Sequence, residues 1–233
     1  MAESIISIKN VSKSFGMVQA LKNVNLEIKP KRIIGLLGPN GSGKTTLIKI
    51  LAGLIKSYEG NVLIDDKKIG IETKAITAYL PDVNFIPDDW TTQHAVDYFK
   101  DFFSDFNVEK ANFLLQKLDI RKQQKFKYLS KGTKDKVQLI LTLSRDAKLY
   151  LFDEPIAGVD PATRDFIFQL ILENYNKDAS IIISTHLIND AEKILDDVIF
   201  IQNGEIKLFS ETQKITEFHQ KTIDELFREV FKC

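Results

Sequence analysis

Over the first eighty residues apolar side chains alternate with polar ones or form short unbroken runs, the signature of strands rather than of helices. Residues 5–11 and 24–28 alternate, which predicts an antiparallel pair with one buried face and one wet face. The runs at 33–37, 60–64 and 76–80 read as further short strands, and 47–52 reads as a helix. Three later runs, 150–152, 181–183 and 198–201, are continuously apolar and suit parallel strands covered on both faces. Asn203-Gly204, between 198–201 and 206–209, is a two-residue hairpin turn. From 91 to 147 the pattern changes: strand signals vanish and apolar residues such as Phe113, Leu114 and Leu118 fall at helical spacing. The tail from Glu211 also reads as helical, with Ile223, Leu226, Phe227 and Val230 on one face. Strands alternating with helical stretches predict a layered α/β domain, one folding unit over 1–233. Its core is expected at about 1–90 and 148–210, with an inserted helical subdomain at about 91–147 and a helical tail at 211–233.

Composition narrows the setting. With 44% apolar and 27% charged side chains in 233 residues, an ordinary globular domain with a continuous core is expected. Lys plus Arg balance Asp plus Glu at 32 each, so no global field draws the chain to nucleic acid or to an anionic membrane. Cys233 is the one cysteine, which leaves no intrachain disulfide and fits a reducing cytosol. The start Met1-Ala2-Glu3-Ser4 carries no leader pattern, and no run approaches the ~18 to 20 apolar residues of a membrane helix. Work at a membrane is therefore expected to need another chain that spans it.

The chemistry begins after the third strand. Gly38-Pro39-Asn40-Gly41-Ser42-Gly43-Lys44-Thr45-Thr46 contains an unbroken Gly-x-x-x-x-Gly-Lys-Thr loop between an apolar strand and a helix. Glycines there allow backbone angles that a side chain forbids, so amide hydrogens curl round phosphate oxygens at the positive end of the helix. Lys44 is expected to reach the terminal phosphates and the Thr45 hydroxyl to hold magnesium, so the loop points to ATP with Mg2+. Asp153-Glu154 closes an apolar strand, with the first carboxylate placed for magnesium and the second for the attacking water. Leu129-Ser130-Lys131-Gly132-Thr133 begins a helix; taken alone, Ser130 reads first as an ordinary cap.

Taken in order, the phosphate loop, Leu129-Ser130-Lys131-Gly132, Asp153-Glu154, Ala157-Gly158-Val159-Asp160 and His186 resemble the nucleotide-binding domain of ATP-binding cassette transporters over nearly the whole chain. The resemblance implies a P-loop NTPase fold: a RecA-like core with a mostly parallel sheet, an antiparallel β subdomain and an inserted helical subdomain. It implies that two ATPase subunits, identical or not, pair head to tail over two ATP molecules. Residues 40–46 of one copy would hold the nucleotide, and Ser130 and Gly132 of the other would contact its terminal phosphate. By the same resemblance Glu154 is the catalytic base, Asp153 the magnesium-associated acid, and His186 a contact to the terminal phosphate. Asp160 would touch the partner subunit or cap the helix that begins at Pro161. Phe15 would stack on adenine, or lie in the core.

Two positions depart from that pattern. Pro81-Asp82 stands where the family has glutamine, so Asp82 is either a catalytic and magnesium-contacting carboxylate or a turn residue. Lys131 stands where glycine is commoner, placing a charge near the phosphate site or in solvent. The Leu80-Pro81-Asp82 segment, the Leu-Ser-Lys-Gly signature and the short tail are similar to ATPase subunits of bacterial exporters of drugs, antibiotics and antimicrobial or toxic peptides. An integral membrane permease would then be the partner and the cytoplasmic face of the plasma membrane the location. Trp90, Phe99, Phe102, Phe103 and Phe106 would offer it an aromatic groove, with at least half of them packed in the core. A soluble ATP-gated clamp on ribosomes, DNA or an iron-sulfur assembly machine is the competing class, but no long coiled coil, tandem cassette or basic stripe supports it. A binding module without turnover is the third, and Glu154 and His186 point away from it.

Overall fold

The computed structural model describes residues 4–231; Cys233 and the first three residues lie outside this range. In chain order the elements are β1 (Ile6–Phe15), β2 (Val18–Ile28), β3 (Ile33–Leu37), α1 (Lys44–Leu51), β4 (Glu59–Ile64), β5 (Lys67–Lys68), α2 (Ile71–Ala75) and β6 (Thr77–Leu80). There follow α3 (Thr92–Phe102), α4 (Val108–Lys117), α5 (Lys131–Leu143), β7 (Leu149–Asp153), α6 (Pro161–Asn174), β8 (Ser180–Thr185), α7 (Ile188–Ala191), β9 (Asp197–Gln202) and β10 (Glu205–Glu211). The tail comprises α8 (Thr212–Lys214), a π-helical turn (Ile215–His219) and α9 (Ile223–Phe231).

Two sheets form. The first is antiparallel in the order β2-β1-β4-β5, as the alternation in its first two strands predicts. The second runs β10-β9-β3-β8-β7-β6, parallel from β9 to β6, with β10 antiparallel at one edge. The continuously apolar runs became its buried central strands because helices cover one face and the first sheet and α1 cover the other. Asn203 and Gly204 both take positive φ, 50° and 79°, as a tight hairpin between β9 and β10 requires.

The helical segment 91–147 has no core of its own. Ala95, Val96, Leu114 and Val137 join Tyr150, Phe152 and Ile183 in one apolar cluster. Arg145 seals this join: its buried guanidinium donates to both Asp105 oxygens and to the carbonyls of Thr77 and Ala75, beneath the Phe103 ring. The expected face of α4 is rotated, since Leu114 is buried with Ala111 and Leu115 while Phe113 is 62% exposed. At 3.6 residues per turn Ala111, Leu114 and Leu115 form one i, i+3, i+4 stripe toward the core, and Phe113 falls outside it. The tail differs too: Glu211 closes β10, so helix begins only at Thr212. In α9, Ile223, Leu226 and Phe231 are buried, and Phe227 and Phe231 pack on Phe200, close to the face expected.

Candidate nucleotide site

Parallel strands bring the predicted residues to one sheet edge. Leu37 lies beside Thr185 and Asp153 beside Ser184, so the loops after β3, β7 and β8 open together where ligands of open α/β sheets gather. A cleft of about 780 Å³ results, lined by residues 40–46 with Asp82, Glu154 and His186. Val18, Gln19, Ala20, Lys22 and Asn203 complete the wall, and none of these was legible as a contact in the sequence.

No side chain caps α1, whose first turn follows Gly43, so its leading amides face the cleft. Lys44 is nearly buried and its Nζ donates to the carbonyls of Gly38 (2.8 Å) and Pro39 (3.2 Å), lying 3.3 Å from Glu154 Oε1. The hairpin turn braces the loop from outside: Gly204 N–H donates to Ser42 O at 2.9 Å. Gly41 and Gly43 carry positive φ of 78° and 112°, as expected; Gly38 does not, and is needed because a Cβ there would lie 2.3 Å from Ile201 O.

Asp153 is fully buried at the end of β7. Its Oδ1 accepts from Ser184 Oγ (2.7 Å) and Thr45 Oγ1 (3.1 Å), whereas Oδ2 is buried with no hydrogen-bond partner. Burial pushes this carboxyl above the usual range, opposed by the Ser184 and Thr45 hydroxyls. An orphaned buried oxygen beside a loop threonine suits a hard cation that takes its other ligands from phosphate and water. Among the described residues no cluster of three or more His, Cys, Asp or Glu could hold a metal by itself.

Glu154 follows at once with φ of +50°, a left-handed conformation that costs about 1 to 2 kcal/mol in a residue with a Cβ. The strain persists because its N–H donates to both the carbonyl (3.1 Å) and the hydroxyl (3.0 Å) of Ser184. This turns the carboxylate back over the loop, where Oε2 meets His186 Nδ1 at 3.0 Å. Lys44, Glu154 and His186 thus form one chain of charged and polar contacts across the cleft. Ser184 organises both acids, and only its place two residues before His186, which follows β8, hinted at that.

Other candidates stand apart. Phe15 is 50% exposed, which excludes the core alternative; its ring lies under Lys13 Nζ (4.7 Å), and it pairs across a tight turn with the cleft residue Val18. Ser130 caps α5, accepting from Thr133 N–H at 3.2 Å, and is exposed. Neither Ser130 nor Gly132 lines the phosphate-loop cleft, and a Cβ on Gly132 would meet only open space. Lys131 Nζ lies beside Gly158 of its own chain. Asp82 faces both the main cleft and a crevice of about 70 Å³ shared with Lys131, Asp135 and Glu154. Asp160 caps α6 through the Thr163 hydroxyl (2.6 Å) and amide (3.1 Å), which hold its carboxyl below the usual range.

Comparison with known proteins agrees with this geometry. A family model described as ABC transporter matches residues 21–157. The chain is 31% identical over 220 residues to the ABC transporter ATP-binding protein YtrB of Bacillus subtilis (strain 168), covering 93% of this chain and 75% of that one. It is 30% identical over 236 residues to the phosphonates import ATP-binding protein PhnC of Fusobacterium nucleatum subsp. nucleatum, covering 92% and 96%. Among solved structures, an ATP-binding subunit of an ABC transporter superposes with a TM-score of 0.87 at 25% identity, over 98% of this chain and 100% of that one. A dimeric ATP-binding cassette in a post-hydrolysis state with ADP and phosphate gives 0.78 at 26% identity, over 88% and 98%. With a phosphate loop, a paired acid and a histidine held at one sheet edge, the chain belongs to the ABC transporter family, as an ATP-binding and ATP-hydrolysing subunit.

Proposed function

We propose that this ATPase works as a head-to-tail pair beneath a membrane permease and drives export of drugs, antibiotics or antimicrobial or toxic peptides from the cytoplasmic face. One observation carries the pairing: the exposed Ser130 end of α5 does not line the phosphate-loop cleft of its own chain, which leaves it free to complete the cleft of a second copy. In the pair, amides of residues 41–46 and Lys44 bind the phosphates of ATP, Lys44 leaving its carbonyl partners to do so. Thr45 and Asp153 would hold magnesium, which when bound would neutralise charge on the phosphates. Glu154 takes the proton of the attacking water, and His186 contacts the terminal phosphate while fixing the Glu154 carboxylate. Asp82, which also lines the cleft, would add a carboxylate for the metal or its water. Ser130 and the Gly132 amide contribute from the partner copy, and phosphate loss opens the pair.

Phe15→Ala is expected to weaken ATP binding by about tenfold, the loss of one stacked base, without abolishing it. Titration with a fluorescent ATP analogue checks this; unchanged affinity would place adenine elsewhere.

A groove of about 570 Å³ supports permease docking. It is lined by Leu54, Val83, Phe85, Tyr98, Phe99 and Phe103, together with Lys49, Lys74 and the buried Arg145. Of the aromatics expected there, Phe99 and Phe103 line it; Trp90 and Phe106 pack against the core, and Phe102 is 68% exposed, stacked on Tyr98. No helix of the described residues is long and apolar enough to cross a membrane. Val83→Glu, at an exposed rim position, is expected to abolish co-purification with the permease and leave the ATP turnover of the isolated chain within about twofold. Retained co-purification would place the docking surface elsewhere. Export rests on the Leu80-Pro81-Asp82 and Leu-Ser-Lys-Gly segments, while two relatives are named for import. Co-expression with the adjacent membrane gene tests it: candidate drugs and peptides should stimulate ATP turnover and accumulate in inverted vesicles, and accumulation in right-side-out vesicles instead would reverse the direction.

A further inference from the structure

Glu154 and His186 sit on loops that the Glu154–His186 contact alone does not fix. The loop after Glu154 runs through Val159 and Asp160 into α6, and His186 leads into α7, a helix of four residues with no side-chain cap. So short a helix cannot hold its own position. Arg164, in the first turn of α6, spans both segments: Nε donates to Val159 O at 3.0 Å and Nη1 to Asp190 Oδ2 in α7 at 2.8 Å. Asp190 lies four residues beyond His186, and both side chains of this pair are partly buried. A guanidinium can serve both acceptors at once because its donors diverge in a rigid plane, which an ammonium cannot imitate. On the other side Glu192, next to α7, accepts from the amide of Ile223 at the start of α9 (2.9 Å). The base of the His186 segment is therefore held between α6 and α9.

We propose that Arg164 is a positioning residue that sets His186 against Glu154 by locking α7 to the loop between Glu154 and Asp160. The proposal rests on the reading of His186 as a contact to the terminal phosphate. Arg164→Ala is expected to keep Km for ATP within about twofold and lower kcat by about tenfold or more, since small displacements of catalytic groups carry such losses. The melting temperature is expected to fall by less than about 4 °C, as for a partly exposed ion pair. The ring resonance of His186, identified by its absence in His186→Ala, should shift or broaden. Asp190→Ala should reproduce the kcat loss, the double variant should be no slower than either single one, and Arg164→Lys should recover only part of it. Wild-type kcat with an unmoved His186 resonance in Arg164→Ala would overturn the proposal. So would a kcat loss that tracks a large fall in melting temperature with the resonance unmoved, which marks a merely structural pair. Wild-type turnover in His186→Ala would instead overturn the phosphate-contact reading, and the resonance in Arg164→Ala would still decide the positioning.

Discussion

Glu154→Gln is expected to bind ATP as the wild type does and to hydrolyse it about 10²- to 10⁴-fold more slowly, the usual contribution of a positioned general base. Glutamine has the same length, so the main-chain bonds to Ser184 and the contacts to Lys44 and His186 keep their geometry. What is lost is a basic oxygen: an amide cannot take a proton from water at neutral pH. With binding intact and cleavage blocked, the ATP-closed pair should accumulate. Phosphate release measures the first effect and sedimentation in saturating ATP the second. A variant that stays monomeric and turns over at the wild-type rate would show that Glu154 is not the base and that ATP does not close the pair.

Gly43→Ala is expected to abolish ATP binding and to lower stability by at least about 3 kcal/mol, because backbone strain and a steric clash add. At φ of 112° a Cβ would lie 2.6 Å from the carbonyl oxygen of Ala20 and 3.0 Å from Leu21 Cδ2. The carbonyl belongs to β2 and cannot move without breaking that strand's register, so the loop must shift instead, carrying Lys44 and the leading amides of α1 with it. Gly41→Ala is the control. Its φ of 78° is also positive, but nothing lies within 4 Å of a Cβ there, so strain alone acts, about 1 to 2 kcal/mol. Chemical denaturation without nucleotide separates the two. Equal losses would mean that conformation alone, and not the approach of Ala20, requires glycine at 43.

Much of the site was legible because its residues are local in sequence. The phosphate loop needs only a strand before it and a helix after it, and Asp153-Glu154 and His186 each sit at the end of an apolar run that reads as a strand. Ser184 was not legible as a functional residue: its hydroxyl matters only because β8 lies beside β7 and puts it between two acids. The strain at Glu154 was hidden for the same reason, since nothing in the letters Asp-Glu-Pro reveals a positive φ held by a neighbouring strand.

Short-range pattern was enough for the α/β class, most strand positions, the hairpin turn and the helical stretch, because hydrophobic periodicity and motif spacing act over a few residues; β5 and the far ends of β1 and β2 lay outside the runs it marked. Distance and direction lay beyond it. Strand order, the groove shared by Leu54, Val83, Phe85 and Tyr98, and the Arg164 fork join segments distant in sequence, while the rotated face of α4 and the exposure of Phe15 depend on what the rest of the fold packs against them. The position of Ser130 is of the same kind: whether two motifs of one chain meet depends on how its core packs, and here Ser130 stays outside the cleft that the phosphate loop lines.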